Sequence, residues 1–419
     1  MENNGRIKEV LEDMKKETIF PQVYICGHGE ISMKIKRMTI KDICGIKSLE
    51  LTFNKGLNLI CGENGVGKTT ILKAIAHLFL YGQDSFIKKH YGSEKGIVDI
   101  WLDKDNEHFK YEIENFIPGC IGRYSTNFRY GNNVLFFSSS RNIKYNKIEA
   151  LPAHKNINTD NDSVRSSKLL ESGVENDIKN WFVNQYVFSK VEHSLDKYQQ
   201  SNLDLSTKIF GILDSNLSVY TVKSDYEIVL KNKNDEIYFE MLSDGYKSCV
   251  FILLGIIKEI EYRFPQKEAA DFDGIIMIDE IDIHLHPQWQ AKLVKVLRNT
   301  FSSSQIIATT HSPSVLQNAI AEEIIPLYKD EHDNICIKKL NLGKYGLQGW
   351  TLEEIMRDVM GMSSTTSDVY AEIIERFDRA MDEENQEDIL SNYEILKKML
   401  HPNNPMLQLL EIQIAEWKH

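Results

Sequence analysis

The spacing of hydrophobic and polar residues predicts strands and helices in alternation. "MKIKRMTIKDI" and "KSLELTF", within 33–53, alternate apolar and polar residues as an antiparallel hairpin does. "GLNLICG" predicts a short buried strand that ends in glycine, and "KTTILKAIAHLFLYG" predicts a helix that ends at Gly82. "GIVDIWLDKDNEHFKYEIENF" predicts two strands joined by a polar turn at 104–107, and "NNVLFFSSSR" predicts another strand.

The rest of the chain predicts a helical insertion followed by a second α/β region. Residues 156–167 are polar and rich in Asn, which is typical of a mobile loop. Helical periodicity follows at 170–198, and Val219–Phe239 returns to strands. A helix then begins near Ser243. The strand "GIIMIDE", a helix at Gln288–Asn299, the strand "SQIIATTHS" and two strand-like pieces come next. This order indicates a mixed α/β sheet.

Composition narrows the class of protein. The chain has 419 residues, 42% of them hydrophobic and 26% charged, as in a soluble protein of two or three domains or of one domain with a large insertion. No apolar run is long enough to span a membrane, and the first residues lack a signal-peptide core. Six cysteines without paired spacing favour reduced thiols in a cytoplasmic protein over disulfides or zinc. The net charge of −12 argues against a wholly basic nucleic-acid binder, although it permits a local basic groove.

"GENGVGKT" fits the phosphate-loop pattern and lies between a predicted strand and a predicted helix. Its glycines let backbone N–H groups surround a phosphate, Lys68 adds positive charge, and the hydroxyl of Thr69 is a ligand for Mg²⁺. A glycine-rich turn that binds nothing would not need Lys and Thr in this register. The candidate nucleotide-binding residues of the loop are Gly62, Asn64, Gly65, Gly67, Lys68, Thr69 and Thr70.

Two apolar strands farther along the chain end in residues suited to hydrolysis. "IIMIDE" ends in Asp279 and Glu280, which suit a Mg²⁺ ligand and a base that activates water. "IIATTHS" reaches His311, which could contact the γ-phosphate if its strand lies beside the first. The alternatives are a strand that runs into a solvated acidic loop, and a histidine with a purely structural role.

The order of phosphate loop, "LSDGYKS", "IIMIDE", "HLHP" and "TTHS" resembles that of ABC-type ATPases of the RecF/SMC/Rad50-like and OLD-like group. The resemblance implies an α/β ATPase head with a mixed central sheet, an antiparallel β-lobe, a helical insertion and a helical C-terminal tail. It also implies Mg²⁺-dependent ATP hydrolysis in a homodimer or higher oligomer. In that scheme Thr69 and Asp279 hold Mg²⁺, Glu280 is the catalytic base and His311 is the switch histidine.

The resemblance further implies a composite site made by two subunits. Ser243 and Gly245 would be signature residues that reach ATP bound by the second subunit, and Asp282 would begin a loop that crosses the interface. The sequence departs from the family pattern in several places. Ile43 and Cys44 stand where the group often has an aromatic residue and an Arg, Asp244 replaces a glycine of transporter signatures, and no glutamine marks a Q-loop. The run Ser138 to Arg141 occupies the corresponding region.

We expect five segments: an N-terminal extension (1–32), an N-terminal lobe with the phosphate loop (33–150), a helical insertion (151–218), a C-terminal lobe (219–343) and a helical tail (344–419). The tail lacks the acidic pattern of a Toprim nuclease and resembles the ATPase subunits of Septu-type and retron-type anti-phage systems. We therefore expect an ATPase without its own nuclease activity that regulates a nuclease encoded nearby, with DNA or RNA as a further ligand and no membrane partner. The alternatives are a RecF-like DNA-repair ATPase and, with less support, a transporter cassette. The alternative for the tail is a simple helical cap on the ATPase core.

Overall fold

The computed structural model describes residues 33–79, 87–103, 107–117, 128–139, 147–151, 175–362 and 364–417. They belong to two compact units, one that ends at Gly361 and one that begins at Met362. The predicted extension (1–32) and the Asn-rich loop (156–167) lie outside the described residues. No helix within the described ranges is long and apolar enough to cross a membrane.

The secondary structure of the described residues follows the predicted order. The strands are β1 (Ile35–Ile43), β2 (Ile46–Thr52), β3 (Leu57–Gly62), β4 (Gly96–Leu102), β5 (His108–Ile113), β6 (Val134–Phe137), β7 (Leu217–Val222), β8 (Ile228–Asn232), β9 (Asp235–Tyr238), β10 (Ile275–Ile278), β11 (Gln305–Thr309), β12 (Ile324–Lys329) and β13 (Ile335–Ile337). The α-helices are α1 (Lys68–Phe79), α2 (Glu175–Phe188), α3 (Lys197–Leu213), α4 (Asp244–Arg263), α5 (Pro287–Thr300), α6 (Pro313–Leu316), α7 (Leu352–Asp358), α8 (Asp368–Asp382), α9 (Gln386–Met399) and α10 (Pro405–Gln413).

The central sheet has the strand order β13-β12-β3-β11-β10-β6. Five strands are parallel to one another: β12, β3, β11, β10 and β6. The edge strand β13 is antiparallel to β12. All residues of β3, β6, β10 and β11 are buried, which explains why their sequences are continuous apolar runs rather than alternating ones. Because parallel strands share one direction, β3, β10 and β11 end at the same edge of the sheet.

The predicted antiparallel lobe is a second sheet with the order β2-β1-β4-β5. Its strands alternate buried and more exposed residues, as the sequence pattern predicts. The buried residues, such as Met38 and Ile100, share one apolar cluster with Ile71 and Ile75 of α1. The helix that follows the phosphate loop is therefore fixed against this lobe.

The predicted insertion contains α2 and α3, and with the three-stranded antiparallel sheet β7-β8-β9 that follows they pack around α4. The stretch with helical periodicity, 170–198, contains one helix and the start of the next. α2 ends at Phe188, His193 has φ 61°, and a new helix starts after Asp196. The side chain of Asp196 caps α3 in a capping box with Gln199, so this polar residue starts a helix rather than continuing one.

The C-terminal unit consists of α8, α9 and α10 around a small core of its own. Phe377, Tyr393, Leu396 and Leu410 are buried within it. The predicted helical tail begins at 344, whereas the structure places 344–361 in the first unit. The mixed sheet, antiparallel lobe, inserted helices and helical C-terminal region confirm the predicted fold class.

Candidate nucleotide-binding site

The phosphate loop, 62–69, connects the end of β3 to the start of α1. Gly62, Gly65 and Gly67 have φ values of 134°, 81° and 81°, which residues with a Cβ rarely adopt. A Cβ on Gly62 would also overlap the carbonyl group of Leu327 in β12. Both the backbone conformation and the close approach of β12 therefore require glycine at the end of β3.

Lys68 is buried, and its side chain folds back onto the loop. Its Nζ donates hydrogen bonds to the carbonyl oxygens of Gly62 (2.8 Å) and Glu63 (2.7 Å). Burial lowers the pKa of Lys68, and the carboxylates at the end of β10 act in the opposite direction. Asn64 is exposed and Thr70 is half-buried, so both lie where the loop meets solvent.

The end of β10 meets the start of α1 at Asp279. Thr69 Oγ1 lies 3.0 Å and 3.2 Å from the two carboxylate oxygens of Asp279, and Thr309 Oγ1 donates to Oδ1 at 2.7 Å. Thr309 Oγ1 also accepts a hydrogen bond from the backbone N–H of Glu280 at 2.7 Å. The backbone N–H of Asp279 donates to the carbonyl of Phe137 at the end of β6. Residues of α1 and β11 thus fix the position of this carboxylate, and β6 fixes the backbone that carries it.

Asp282 is bonded to the residues that follow β11. Its Oδ1 accepts hydrogen bonds from Thr310 Oγ1 (2.6 Å) and from the backbone N–H of His311 (3.1 Å). Burial lowers the pKa of His311, and the positive charge of Lys68 lowers it further. Its imidazole is therefore neutral at pH 7 and can offer one donor and one acceptor.

Gln290 of α5 ties the same two segments together. Its Oε1 accepts from Ser312 Oγ at 2.6 Å, and its Nε2 donates to the carbonyl oxygens of Leu285 (2.9 Å) and Asp282 (3.3 Å). The loop after β10 and the turn after β11 are consequently held to each other by the side chains of both Asp282 and Gln290.

The sequence did not predict a role for Thr309, Thr310 or Gln290. The only local signal for the two threonines is a run of hydroxyl residues between an apolar strand and a histidine, "TTHS". Gln290 has no comparable signal, because it lies on an amphipathic helix among other polar residues.

The predicted signature residues lie at the start of α4. The side chain of Ser243 caps the helix by accepting from the backbone N–H of Tyr246 (3.4 Å), and Ser243 is exposed. A Cβ on Gly245 would lie 3.2 Å from the ring of Trp289 and 3.6 Å from the carbonyl oxygen of His284. These contacts join the signature segment to residues 284–286, called here the His-Leu-His loop, and to Trp289 at the start of α5. None of them involves Lys68.

The region proposed to replace a Q-loop begins where β6 ends. Ser138 follows Phe137, whose carbonyl accepts from the backbone of Asp279, and its hydroxyl is buried with no hydrogen-bond partner among the described residues. Ser140 and Arg141 lie outside the described residues.

The chemistry of these residues fits ATP and Mg²⁺. A threonine hydroxyl and a carboxylate in contact, Thr69 and Asp279, supply the oxygen ligands that Mg²⁺ prefers. The loop N–H groups at the start of a 12-residue helix, together with Lys68, supply the donors and the charge that bind phosphate. The site residues predicted from β3, β10 and β11 therefore lie together at one edge of the central sheet.

Comparison with known proteins gives relatives of the predicted kind. Residues 57–317 match the family described as "AAA domain, putative AbiEii toxin, Type IV TA system". The chain is 42% identical over 392 residues to Septu protein PtuA of Bacillus thuringiensis, which covers 91% of this chain and 98% of that protein. It is 25% identical to Retron Vc95 probable ATPase of Vibrio cholerae serotype O1 biovar El Tor, over 75% of this chain and 78% of that protein.

A solved structure, the SMC head domain from Thermotoga maritima, matches 74% of this chain and 100% of its own length, with 14% sequence identity and a TM-score of 0.43. The predicted relationship to the ATPases of Septu and retron systems is confirmed by the sequence matches. The protein belongs to the family of ABC-type AAA ATPases of anti-phage systems that includes Septu protein PtuA.

Proposed function

We propose that this protein binds and hydrolyses ATP with Mg²⁺, that ATP closes a dimer, and that the dimer regulates a partner nuclease in anti-phage defence. The observation that carries the proposal is the hydrogen-bond network of Thr69, Asp279, Thr309 and Glu280 beside Lys68. It fixes the carboxylate of Asp279 and the backbone of Glu280 close enough to Lys68 for both acidic residues to act on its charge, at one edge of the sheet.

In the proposed reaction Lys68 and the loop N–H groups bind the β- and γ-phosphates, and Thr69 and Asp279 hold Mg²⁺. Bound Mg²⁺ would offset negative charge on the phosphate oxygens. Glu280 takes a proton from a water whose oxygen bonds to the γ-phosphorus, while the bond to the β–γ bridging oxygen breaks. His311, neutral at pH 7, contacts the γ-phosphate through one hydrogen bond. The products are ADP and phosphate.

Dimer formation is supported by the position of the signature segment. Ser243 and Asp244 are exposed at the N-terminus of a 20-residue helix, where the helix dipole favours an anion. Gly245 lies directly beside the His-Leu-His loop, so both segments belong to one surface. A phosphate held by a second copy of the chain is a suitable ligand for that surface.

The proposal assigns nuclease chemistry to a separate protein. The sequence after 344 lacks the acidic pattern of a Toprim nuclease, and the C-terminal unit is a small helical bundle. The membership of this protein in a family of anti-phage ATPases supports a role in defence. Purification with the product of a neighbouring gene, followed by nuclease assays with ATP, with ADP and without nucleotide, tests the regulatory step. Nuclease activity that is independent of nucleotide would contradict it.

The assignment of the base is tested with Glu280→Gln, which keeps the size of the side chain and removes its basicity. We expect the variant to bind ATP, to hydrolyse it far more slowly and to accumulate as a closed dimer on size exclusion. Glu322→Gln, at an exposed glutamate, is the matched control and should behave as the wild type does. Hydrolysis by Glu280→Gln at the wild-type rate would show that Glu280 is not the base.

The composite site is tested by mixing two inactive variants, Lys68→Ala and Ser243→Asn. Asparagine preserves the helix cap while it changes the group presented to the partner. A mixed dimer contains one site with both residues intact, so activity should return on mixing. If no mixing ratio restores activity, Ser243 does not act on ATP bound by the other subunit.

A further inference from the structure

A turn far along the chain lies against the phosphate loop. Gly361 has φ 76°, and a Cβ placed on it would be 2.8 Å from both Cγ and Cδ of Glu63 and still closer to a carboxylate oxygen. Glu63 is the second residue of the phosphate loop and carries none of the roles assigned above. The contact therefore joins the phosphate loop to a residue 298 positions later in the sequence.

The segment that carries Gly361 is firmly anchored. α7 begins with a capping box between Thr351 and Glu354, and the carbonyl of Trp350 accepts from Gln317 Nε2 at 2.8 Å. Ile355, Val359 and Met360 are buried in the cluster that also contains Cys61 of β3 and Val315 of α6. Gly361 is thus presented to the phosphate loop by a packed element rather than by a free chain end.

The loop itself has little room to move away from Gly361. Gly62 approaches the carbonyl group of Leu327 so closely that a Cβ would overlap it, and a Cβ on Gly67 would lie 3.0 Å from Ile46. Contacts on these sides restrict the loop toward β12 and toward β2. Glu63 itself is exposed and has Gly361 as a close neighbour, so a displacement of this loop residue would be felt at Gly361.

A bound triphosphate would disturb Glu63 through Lys68. The ammonium of Lys68 donates to the carbonyl oxygens of Gly62 and Glu63. Phosphate oxygens are stronger acceptors for this charged donor than neutral carbonyl groups are. When Lys68 turns to the phosphates, the Glu63 carbonyl loses this donor, and the backbone at Glu63, whose Cα carries the side chain beside Gly361, is less restrained.

We propose that Glu63 and Gly361 form a steric relay that couples triphosphate binding at Lys68 to α7 and to the point where the chain enters the C-terminal unit. This inference rests on the proposed ATP binding and adds a route by which the nucleotide acts on the rest of the chain. Gly361 is the last residue of the first unit and Met362 the first of the second, so the relay reaches the covalent link between them.

A double-mutant cycle tests the relay, with the affinity for a fluorescent ATP analogue as the readout. The four proteins are the wild type, Glu63→Ala, Gly361→Ala and the double variant. The left-handed backbone strain at Gly361 is the same in both Glu63 backgrounds and cancels. We expect Gly361→Ala to weaken binding about tenfold when Glu63 is present and less than about threefold in the Glu63→Ala background, as for contacting residues.

Hydrogen exchange gives a second, local readout. The backbone N–H groups of Val359 and Met360 both donate to the carbonyl of Ile355 at 3.0 Å. ATP should change their exchange rates in the wild type and leave them unchanged in Glu63→Ala. The relay is overturned if the affinity losses of the two variants are additive, or if ATP has equal effects on exchange in the wild type and in Glu63→Ala. If ATP binding still depends on Lys68, the proposed function stands. The absence of Lys68-dependent binding in the wild type overturns both.

Discussion

Glu261 is a buried carboxyl group that should make the stability of the insertion depend on pH. Its side chain accepts hydrogen bonds from Trp181 Nε1 (2.9 Å), Gln185 Nε2 and Asn202 Nδ2 (3.2 Å), which come from α2 and α3. Burial raises the pKa of Glu261 from 4.5 to about 7, although these hydrogen bonds act to lower it, and the charge of Asp196 raises it slightly more. The group thus holds the insertion to the helix that carries the signature.

The sign follows from proton binding. Between about pH 4.5 and pH 7 the folded chain holds a proton on Glu261 that the unfolded chain has released, so the free energy of unfolding falls as the pH rises. The contribution is fully present below about pH 4.5 and lost above about pH 7. At about 1.4 kcal/mol per pH unit, its full size is roughly 3 kcal/mol.

Glu261→Gln removes this titration because an amide does not lose a proton in that range. We expect urea unfolding, followed by tryptophan fluorescence, to show a pH dependence that is smaller than in the wild type by up to roughly 3 kcal/mol. Glu268→Gln is the matched control, since Glu268 faces the same helix interface through Ser201 and is less buried. Identical pH dependence in Glu261→Gln and the wild type would refute the reasoning.

Two further substitutions test the site. Thr309→Val removes the hydroxyl that donates to Asp279 and accepts from the backbone N–H of Glu280, at a cost of about 1–3 kcal/mol, and should slow ATP hydrolysis. Thr309→Ser keeps the hydroxyl and should retain both properties in thermal unfolding and phosphate-release assays; equal behaviour of the two variants would contradict the role of this hydroxyl. Gly62→Ala should prevent folding or nucleotide binding, because a Cβ there overlaps the backbone of β12. Gly65→Ala, where φ is 81° but a Cβ meets open space, adds backbone strain without overlap and should unfold at a higher temperature than Gly62→Ala, as circular dichroism would show; a folded, binding-competent Gly62→Ala would mean that β12 yields.

The features that could be predicted from the sequence are local or periodic. The strand, loop and helix around Lys68 are contiguous, and the eight residues 62–69 alone predict a phosphate-binding loop. Asp279 and His311 could be placed because each follows an uninterrupted apolar run, and buried parallel strands in one sheet end at a common edge. In the structure β3, β11 and β10 pair in parallel, and this brings Asp279 and His311 to the same edge as the phosphate loop, as the apolar runs predict.

The features that could not be predicted depend on residues distant in the chain. Glu261 lies in "KEIEYR", which is typical of a solvated helix end, and it is buried only because α2 and α3 cover it. The contact between Glu63 and Gly361 has no local signature either, since a lone glycine after a short helix is an ordinary cap. The end of one helix and the start of the next within 189–196 have no clear signal in the sequence, because helical periodicity continues across a segment where Asp196 starts a new helix.

The two threonines after β11 give the site a mechanical consequence. Thr309 bonds to Asp279, on the phosphate side of the loop, and Thr310 bonds to Asp282, at the start of the segment expected to cross the dimer interface. Asp282 also accepts from the backbone of His311. A partner subunit that displaces Asp282 must therefore move His311 or break two hydrogen bonds to one carboxylate oxygen. Since Asp279 and Asp282 are held by adjacent threonines of the same strand end, closure of the proposed dimer and the geometry at the proposed γ-phosphate site would change together.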